Sequence, residues 1–275
     1  MNQKLVFLDI DGTIVANHRE MSEKVKQAIR LAQKNGHKIF ICTGRNKAGI
    51  RDELNQVHFD GIIASAGSYI EIDDQIIYRS YFSDEQVKKA SEVFKQNNVL
   101  YNYECSDVTY MSTEMIKLFS GMENPSNSEM ERLIAMHNEK FNAKDLDNYD
   151  GLGVHKISFI ARDNLSVEKA KDILGHDFNF IIHELFNNQN VNGEIISKTD
   201  NKGTGIKRIV DYLNMKLEDT IGFGDSMNDY EMITTVNCGV VMANGSDELK
   251  KVADRICLSV EQDGVYDEFI KLGLI

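Results

Sequence analysis

The sequence predicts an α/β fold, a parallel-sheet core interrupted by an inserted α+β segment, and three observations predict it. Apolar runs at Lys4 to Leu8 and Lys38 to Cys42 flank an amphipathic stretch, the order of a strand–helix–strand unit. Such a unit has a right-handed crossover and parallel strands. The middle of the chain instead alternates polar and apolar residues like antiparallel strands, and after Glu194-Ile195-Ile196 the first style returns. The 275 residues, 42% hydrophobic and 27% charged, suffice for one large or two modest domains with a real core.

The elements follow in order. Lys4 to Leu8 suits a buried parallel strand. Ser22 is placed to cap a helix whose Val25, Ala28, Ile29 and Ala32 recur at i, i+3, i+4, i+7, and Asn35-Gly36 ends it. The second strand, Lys38 to Cys42, breaks at Thr43-Gly44-Arg45. Phe59 to Ala64 reads as a further strand, followed by a hairpin through Tyr69 to Ile72 and Gln75 to Tyr78. Ser83 caps a helix to about Asn97, and Val99 to Tyr103 and Val108 to Met111 alternate as strands. Gly121 to Asn127, with the only proline (Pro125), reads as a loop before another helix. His155 to Ala161 and Phe178 to Leu185 are strands flanking a helix from Ser166 to Leu174. Gly203 opens a helix with Ile206, Ile209, Val210 and Leu213 on one face. Strands follow at Thr220 to Phe223, Gly239 to Met242 and Arg255 to Leu258.

Composition removes several classes of function. A formal charge of −12 argues against nucleic acid, which needs a clustered basic face. No apolar run approaches the ~20 residues that span a bilayer, and the first residues carry no secretory pattern. Four scattered cysteines, without a CxxC pair, fit a reducing cytoplasm better than a disulfide framework or a zinc site. The acidic balance would also repel a phosphorylated substrate, so a local cation has to reverse the field.

Four segments carry chemistry. Asp9-Ile10-Asp11-Gly12-Thr13 leaves the first strand at its carboxyl end, where ligands bind in open parallel sheets. Two alternating carboxylates there can divide labour, one attacking phosphorus and the other moving a proton. Thr43-Gly44 offers a hydroxyl and a close backbone approach to an anion, while Arg45 reads as a helix or surface residue. Lys202 precedes a helix, where it adds charge to an anion-favouring terminus; alone it would read as a solvated lysine. In Gly224 to Asp229, Asp225 and Asp229 offer hard oxygen ligands and Asn228 an amide for a phosphate oxygen.

In this order the segments resemble the motifs of haloacid dehalogenase (HAD) superfamily phosphatases, specifically the Cof-type group with a large C2-type cap. DIDGTI, ICTGR, NKGTGI and GDSMNDYEMI stand where that family's four motifs fall, and the resemblance covers essentially the whole chain. It implies a Rossmann-like core at 1–82 and 196–275 and an inserted cap at 83–195. It further implies Asp9 as phosphoryl-accepting nucleophile and Asp11 as general acid/base. Mg²⁺ would be held by the Asp9 carboxylate, the Asp11 backbone carbonyl and Asp225, with Asp229 in support. The phosphate would lie against the Ile10 backbone, Thr43, Gly44, Lys202 and Asn228. Relatives commonly carry Asn-Gly where this chain has Ala66-Gly67, which detaches any substrate contact made there from this chain.

The expected activity is Mg²⁺-dependent hydrolysis of a small phosphorylated metabolite through an aspartyl-phosphate, in the cytoplasm. Sugar phosphates come first, then nucleotides and phosphorylated cofactors. Two alternatives stay open, a sugar phosphomutase with the same intermediate and a catalytically silent metabolite-binding regulator. The sequence leaves the oligomeric state open.

Other patterns fall away. Counting an EF-hand back from Gly151 puts Leu146 and Ile157 at ligand positions, and Asp200 to Gly205 lacks Walker spacing. His155 and His183 read as structural, Cys42 as packing, and Met111, Met115, Met122, Met130 and Met136 as adaptable packing or a substrate-facing cap surface.

Overall fold

The computed structural model describes residues 2–16, 20–50, 56–120, 143–182 and 190–275. The loop at Gly121 to Asn127, the helix expected after it, His183, Met122, Met130 and Met136 lie outside the described residues. By internal contacts the chain divides into two units: Met1–Arg45, Ile50–Arg79 and Asp200–Ile275 form one, Asn46–Gly49 and Ser80–Thr199 the other.

The first unit holds the α/β core. Its eight-stranded sheet contains β1 (Leu5–Leu8), β2 (Lys38–Cys42), β3 (Gly61–Ala64), β4 (Tyr69–Ile72), β5 (Gln75–Arg79), β12 (Thr220–Gly224), β13 (Cys238–Val241) and β14 (Arg255–Ile256). The order is β14-β13-β12-β1-β2-β3-β4-β5, parallel from β14 to β3, with β4 and β5 closing one edge as an antiparallel hairpin. The hairpin turns at Asp73-Asp74, both left-handed at φ 48° and 60°, as a primed two-residue turn requires.

Central β1 is apolar throughout because both its faces are covered. Leu5 and Phe7 pack with Phe40, Ile206, Ile209 and Met232, and Val6 and Leu8 with Val25, Ile29, Phe223 and Phe269. Helix α1 (Glu23–Lys34) is capped by the Ser22 hydroxyl, which accepts from the Val25 amide. Two strands are shorter than their apolar patterns suggest. β3 begins at Gly61, not Phe59, because the Asp60 carboxylate accepts the Ile39 amide at 2.9 Å in place of a ladder bond. β14 is two residues long because its partner β13 ends at Val241, opposite Ile256.

In the second unit, β6 (Leu100–Cys105), β7 (Thr109–Met111), β8 (Ala143–Asp145), β9 (Val154–Ala161), β10 (Phe178–Ile182) and β11 (Val191–Ser197) form a sheet in the order β10-β11-β9-β6-β7-β8. Only the β7–β8 pair is parallel. Helices α2 (Asp84–Gln96) and α4 (Asn164–Leu174) cover one face, where Val87, Phe94, Val167 and Leu174 meet Tyr101, Tyr103, Ile157, Phe159 and Ile195. The opposite face carries Asn102, Glu104, Lys156, Ser158, Asn192 and Glu194, all buried. Strand β8 and helix α3 (Thr113–Ser120) were not anticipated. Among the described residues, no helix is long and apolar enough to cross a membrane.

Candidate active site

The four chemistry-bearing segments all belong to the first unit. Asp9 follows β1 and extends its ladder, donating its amide to the Phe223 carbonyl at 3.0 Å. The chain then turns tightly, the Ile10 carbonyl accepting from the amides of Thr13, Ile14 and Val15 at 3.3, 3.1 and 3.0 Å. Gly12 sits at φ 76°, and a Cβ there would lie 2.2 Å from Asp225 Oδ2. Only glycine satisfies both conditions, so this turn brings the loops after β1 and β12 together.

Thr43, 1% exposed, follows β2. Its hydroxyl accepts from the Arg45 amide at 3.1 Å and its carbonyl from the Ala66 amide at 3.2 Å, which places Gly44 in a tied turn. Arg45 corrects the sequence reading. It is neither helical nor on the surface: it is 5% exposed, its Nε donating to Asp11 Oδ2 at 2.8 Å and its Nη2 to Oδ1 at 2.5 Å. The available signal was its position, directly after a strand exit at the same sheet end as an acidic turn. This fork holds the Asp11 carboxylate in one plane.

Beyond β3, Ser65, Ala66 and Gly67 are all left-handed, at φ 49°, 53° and 99°. Gly67 is needed because a Cβ would sit 2.2 Å from the Asn201 carbonyl oxygen. Asn201 caps helix α5 (Lys202–Tyr212), accepting from the Thr204 amide at 2.8 Å while Thr204 accepts from the Asn201 amide at 2.9 Å. The cap starts the helix at Lys202, one residue before the expected Gly203.

Lys202 is not a solvated lysine. Its side chain is 1% exposed, with Nζ 2.7 Å from Asp9 Oδ1, 2.5 Å from Asp229 Oδ1 and 3.4 Å from Asn228 Oδ1. Asp225 follows β12, and its amide and that of Ser226 donate to Asp229 Oδ2 at 2.9 and 3.2 Å. Asp229 therefore has both oxygens engaged. Asn228 Oδ1 also accepts from the Ser226 hydroxyl at 2.9 Å, so its Nδ2 is the end able to donate.

Carboxylate oxygens of Asp9, Asp225 and Asp229 lie within 4.8 Å of one another, all buried. Burial, then the neighbouring Asp229, pushes the Asp9 carboxyl up to about 7 although Lys202 opposes this. Burial, Asp229 and Asp9 likewise hold Asp225 well above the usual carboxylate range. Burial alone would lower Lys202, but Asp229 and Asp9 outweigh it and keep the ammonium charged. Three carboxylates face one ammonium, and that surplus of hard, buried negative oxygen fits a divalent cation.

Two residues outside the site have structural roles. Burial pushes the Cys42 thiol up, away from the reactive range. His155 bonds Ser80 O at 2.7 Å and Ser106 Oγ at 2.8 Å and packs on Tyr81.

Residues 6–269 match the family model of the haloacid dehalogenase-like hydrolases, and the chain belongs to that family. It is similar to two Bacillus subtilis (strain 168) proteins. The 5-amino-6-(5-phospho-D-ribitylamino)uracil phosphatase YitU is 27% identical, over 95% of this chain and 94% of that one. The phosphatase YwpJ is 25% identical, over 95% and 97%. In fold it resembles the HAD subclass IIB sugar phosphatase BT4131, with a TM-score of 0.80 at 24% identity over 99% of this chain and 100% of that one. Its activity class is that of a phosphoric monoester hydrolase.

Proposed function

We propose that the protein hydrolyses a small phosphorylated metabolite through an aspartyl-phosphate formed on Asp9. The observation that carries this reading is Asp9 itself: a buried carboxylate at a strand end, 2.7 Å from Lys202 Nζ, beside two further carboxylates. The Asp9 carboxylate and Asp225 would hold Mg²⁺ together with the Asp11 backbone carbonyl. When bound, the ion would neutralise the negative charge shared by these carboxylates and the phosphate oxygens. Asp229 acts at one remove, since Lys202 and two backbone amides occupy both its oxygens.

The Ile10 backbone, Thr43, Gly44, the Lys202 ammonium and the Asn228 amide receive the phosphate. An Asp9 oxygen attacks phosphorus, the bond to the leaving alcohol oxygen breaks, and protonated Asp11 gives that oxygen its proton. Asp11 then takes a proton from the water that attacks the aspartyl-phosphate, releasing phosphate and restoring Asp9. For this exchange Asp11 must leave the Arg45 fork. Residues 83–195 act as the cap that supplies specificity, and the free cysteines suit a reducing cytoplasm.

The test is phosphate release from p-nitrophenyl phosphate. Release requires Mg²⁺, stops with EDTA and falls by roughly 10⁴-fold in Asp9→Asn. Full activity in that variant, or indifference to EDTA, would overturn the proposal. Isomer formation without free phosphate would point to a mutase.

A further inference from the structure

The turn that follows β13 touches both the Asp11 loop and the Asp225 loop, although none of the four motif segments contains it. Met242 to Gly245 form a β-turn, the Gly245 amide donating to the Met242 carbonyl at 2.8 Å. The Met242 amide donates to the Gly224 carbonyl at 3.0 Å and the Ser246 amide to the Asp225 carbonyl at 2.8 Å, which laces the turn to the loop after β12. From its tip, Asn244 Nδ2 donates to the Gly12 carbonyl at 2.8 Å, and Asn244 Oδ1 accepts from the Val260 amide at 2.9 Å. One side-chain amide thus joins the Asp11 loop to the helical turn Val260–Gln262, and all of these residues lie in the first unit.

Gly12 is where such a hold matters. Its φ of 76° suits the tight turn, yet glycine visits positive and negative φ about equally readily. Local sterics therefore do not keep this turn in shape, and hydrogen bonds must. Gly12 is tied at both ends, its N–H to the Val15 carbonyl at 2.9 Å and its C=O to Asn244. The N–H and C=O of one trans peptide point in opposite directions, so the bond to Val15 also aims the Asp11 carbonyl. That carbonyl belongs to the main chain, and a side chain at position 11 does not set its direction. Rotation about the Gly12 backbone would turn it, and the Asn244 bond opposes that rotation.

We propose that Asn244 is a positioning residue for the metal site. Resting on the phosphatase reading, it holds the Gly12 carbonyl and thereby fixes the Asp11 backbone carbonyl as a ligand for Mg²⁺, without itself touching the ion or the substrate.

The test is calorimetric titration of Mg²⁺ at pH 8 into the unmutated protein, Asn244→Ala and Ser22→Ala. Neither substitution changes a charge. Asn244 is exposed and its backbone lies outside the left-handed region, so alanine fits there. Ser22→Ala removes a helix cap and the bond from Ser22 Oγ to Asp263 Oδ1, loosening the same neighbourhood without reaching Gly12. The Mg²⁺ dissociation constant rises roughly three- to tenfold in Asn244→Ala, the worth of one hydrogen bond, and stays unchanged in Ser22→Ala. A merely structural role lowers stability but leaves the affinity of the folded protein unmoved. An unmoved constant in Asn244→Ala, or an equal rise in both variants, overturns the proposal. If Asn244→Ala does not fold, Asn244→Leu carries the same expectation and the same refutation. A parent protein that binds Mg²⁺ yet releases no phosphate from p-nitrophenyl phosphate sinks the phosphatase reading alone; one that takes up no Mg²⁺ overturns both.

Discussion

Each unit buries a lysine between carboxylates, and the two clusters differ in what they lack. In the first unit, Lys202 stands at a helix start facing Asp9 and Asp229, with Asp225 beside them, so charge is unbalanced. In the second, Lys156 sits within β9 between Glu104 and Glu194, and among the described residues the neighbouring Asn102 and Asn192 amides have no hydrogen-bond partners. Surplus charge on loops at strand ends calls for an ion and an anionic ligand. Unused bonding capacity inside a sheet face is instead a desolvation cost and carries no such charge. The burial of a lysine therefore does not by itself mark a catalytic centre.

Replacing each lysine by methionine separates the two clusters. Either change strands buried carboxylates and lowers unfolding stability by about 3–5 kcal/mol. Mg²⁺ restores much of that loss in Lys202→Met and none in Lys156→Met, measured by chemical denaturation at pH 8 with and without the ion. Equal rescue of both would erase the distinction.

A second difference appears with pH. The Asp9 carboxyl titrates at about 7 in the folded chain against an ordinary 3.8. Below the lower value it is protonated in both states and costs nothing. As pH rises between the two values the unfolded chain ionises first, so the metal-free protein loses up to about 4 kcal/mol, fully lost above pH 7. Mg²⁺ competes with that proton, so it raises the melting temperature more at pH 8 than at pH 5. A shift independent of pH would separate the ion from Asp9.

The smallest effect concerns the loop beneath Lys202. Ala66 is left-handed at φ 53°, a conformation asparagine tolerates better. Ala66→Asn is expected to stabilise the protein by about 0.5–1 kcal/mol in the same denaturation assay. Destabilisation would show that the alanine methyl packs too closely to be exchanged.

The clusters were unequally legible in the sequence. Asp9, Thr43, Lys202 and Asp225 stand beside apolar strands or a helix start, so their order along the chain exposed them. Arg45 was misread because its partner, Asp11, lies 34 residues away, and a single arginine at a strand exit carries no pattern of its own. Asn102, Glu104, Lys156, Ser158 and Glu194 escaped entirely, since polar residues alternating with apolar ones read as the wet side of a half-buried strand. Burial of that face is a tertiary fact. Helix α3 and strand β8 were missed because such short elements depend on neighbours more than on local pattern.

The order of β1 within its sheet bears on how the chain is made. β1 pairs with β2, 30-odd residues later, but its other neighbour β12 begins at Thr220. During synthesis the strands of the second unit emerge, and can pair, before that neighbour exists. One edge of β1 thus stays open until the stretch beginning at Thr220 has been made, an exposure that apolar strands handle poorly. Asp9 meets Lys202, which is made 193 residues after it. A truncated chain ending inside the second unit would therefore carry half a core and no assembled charge cluster.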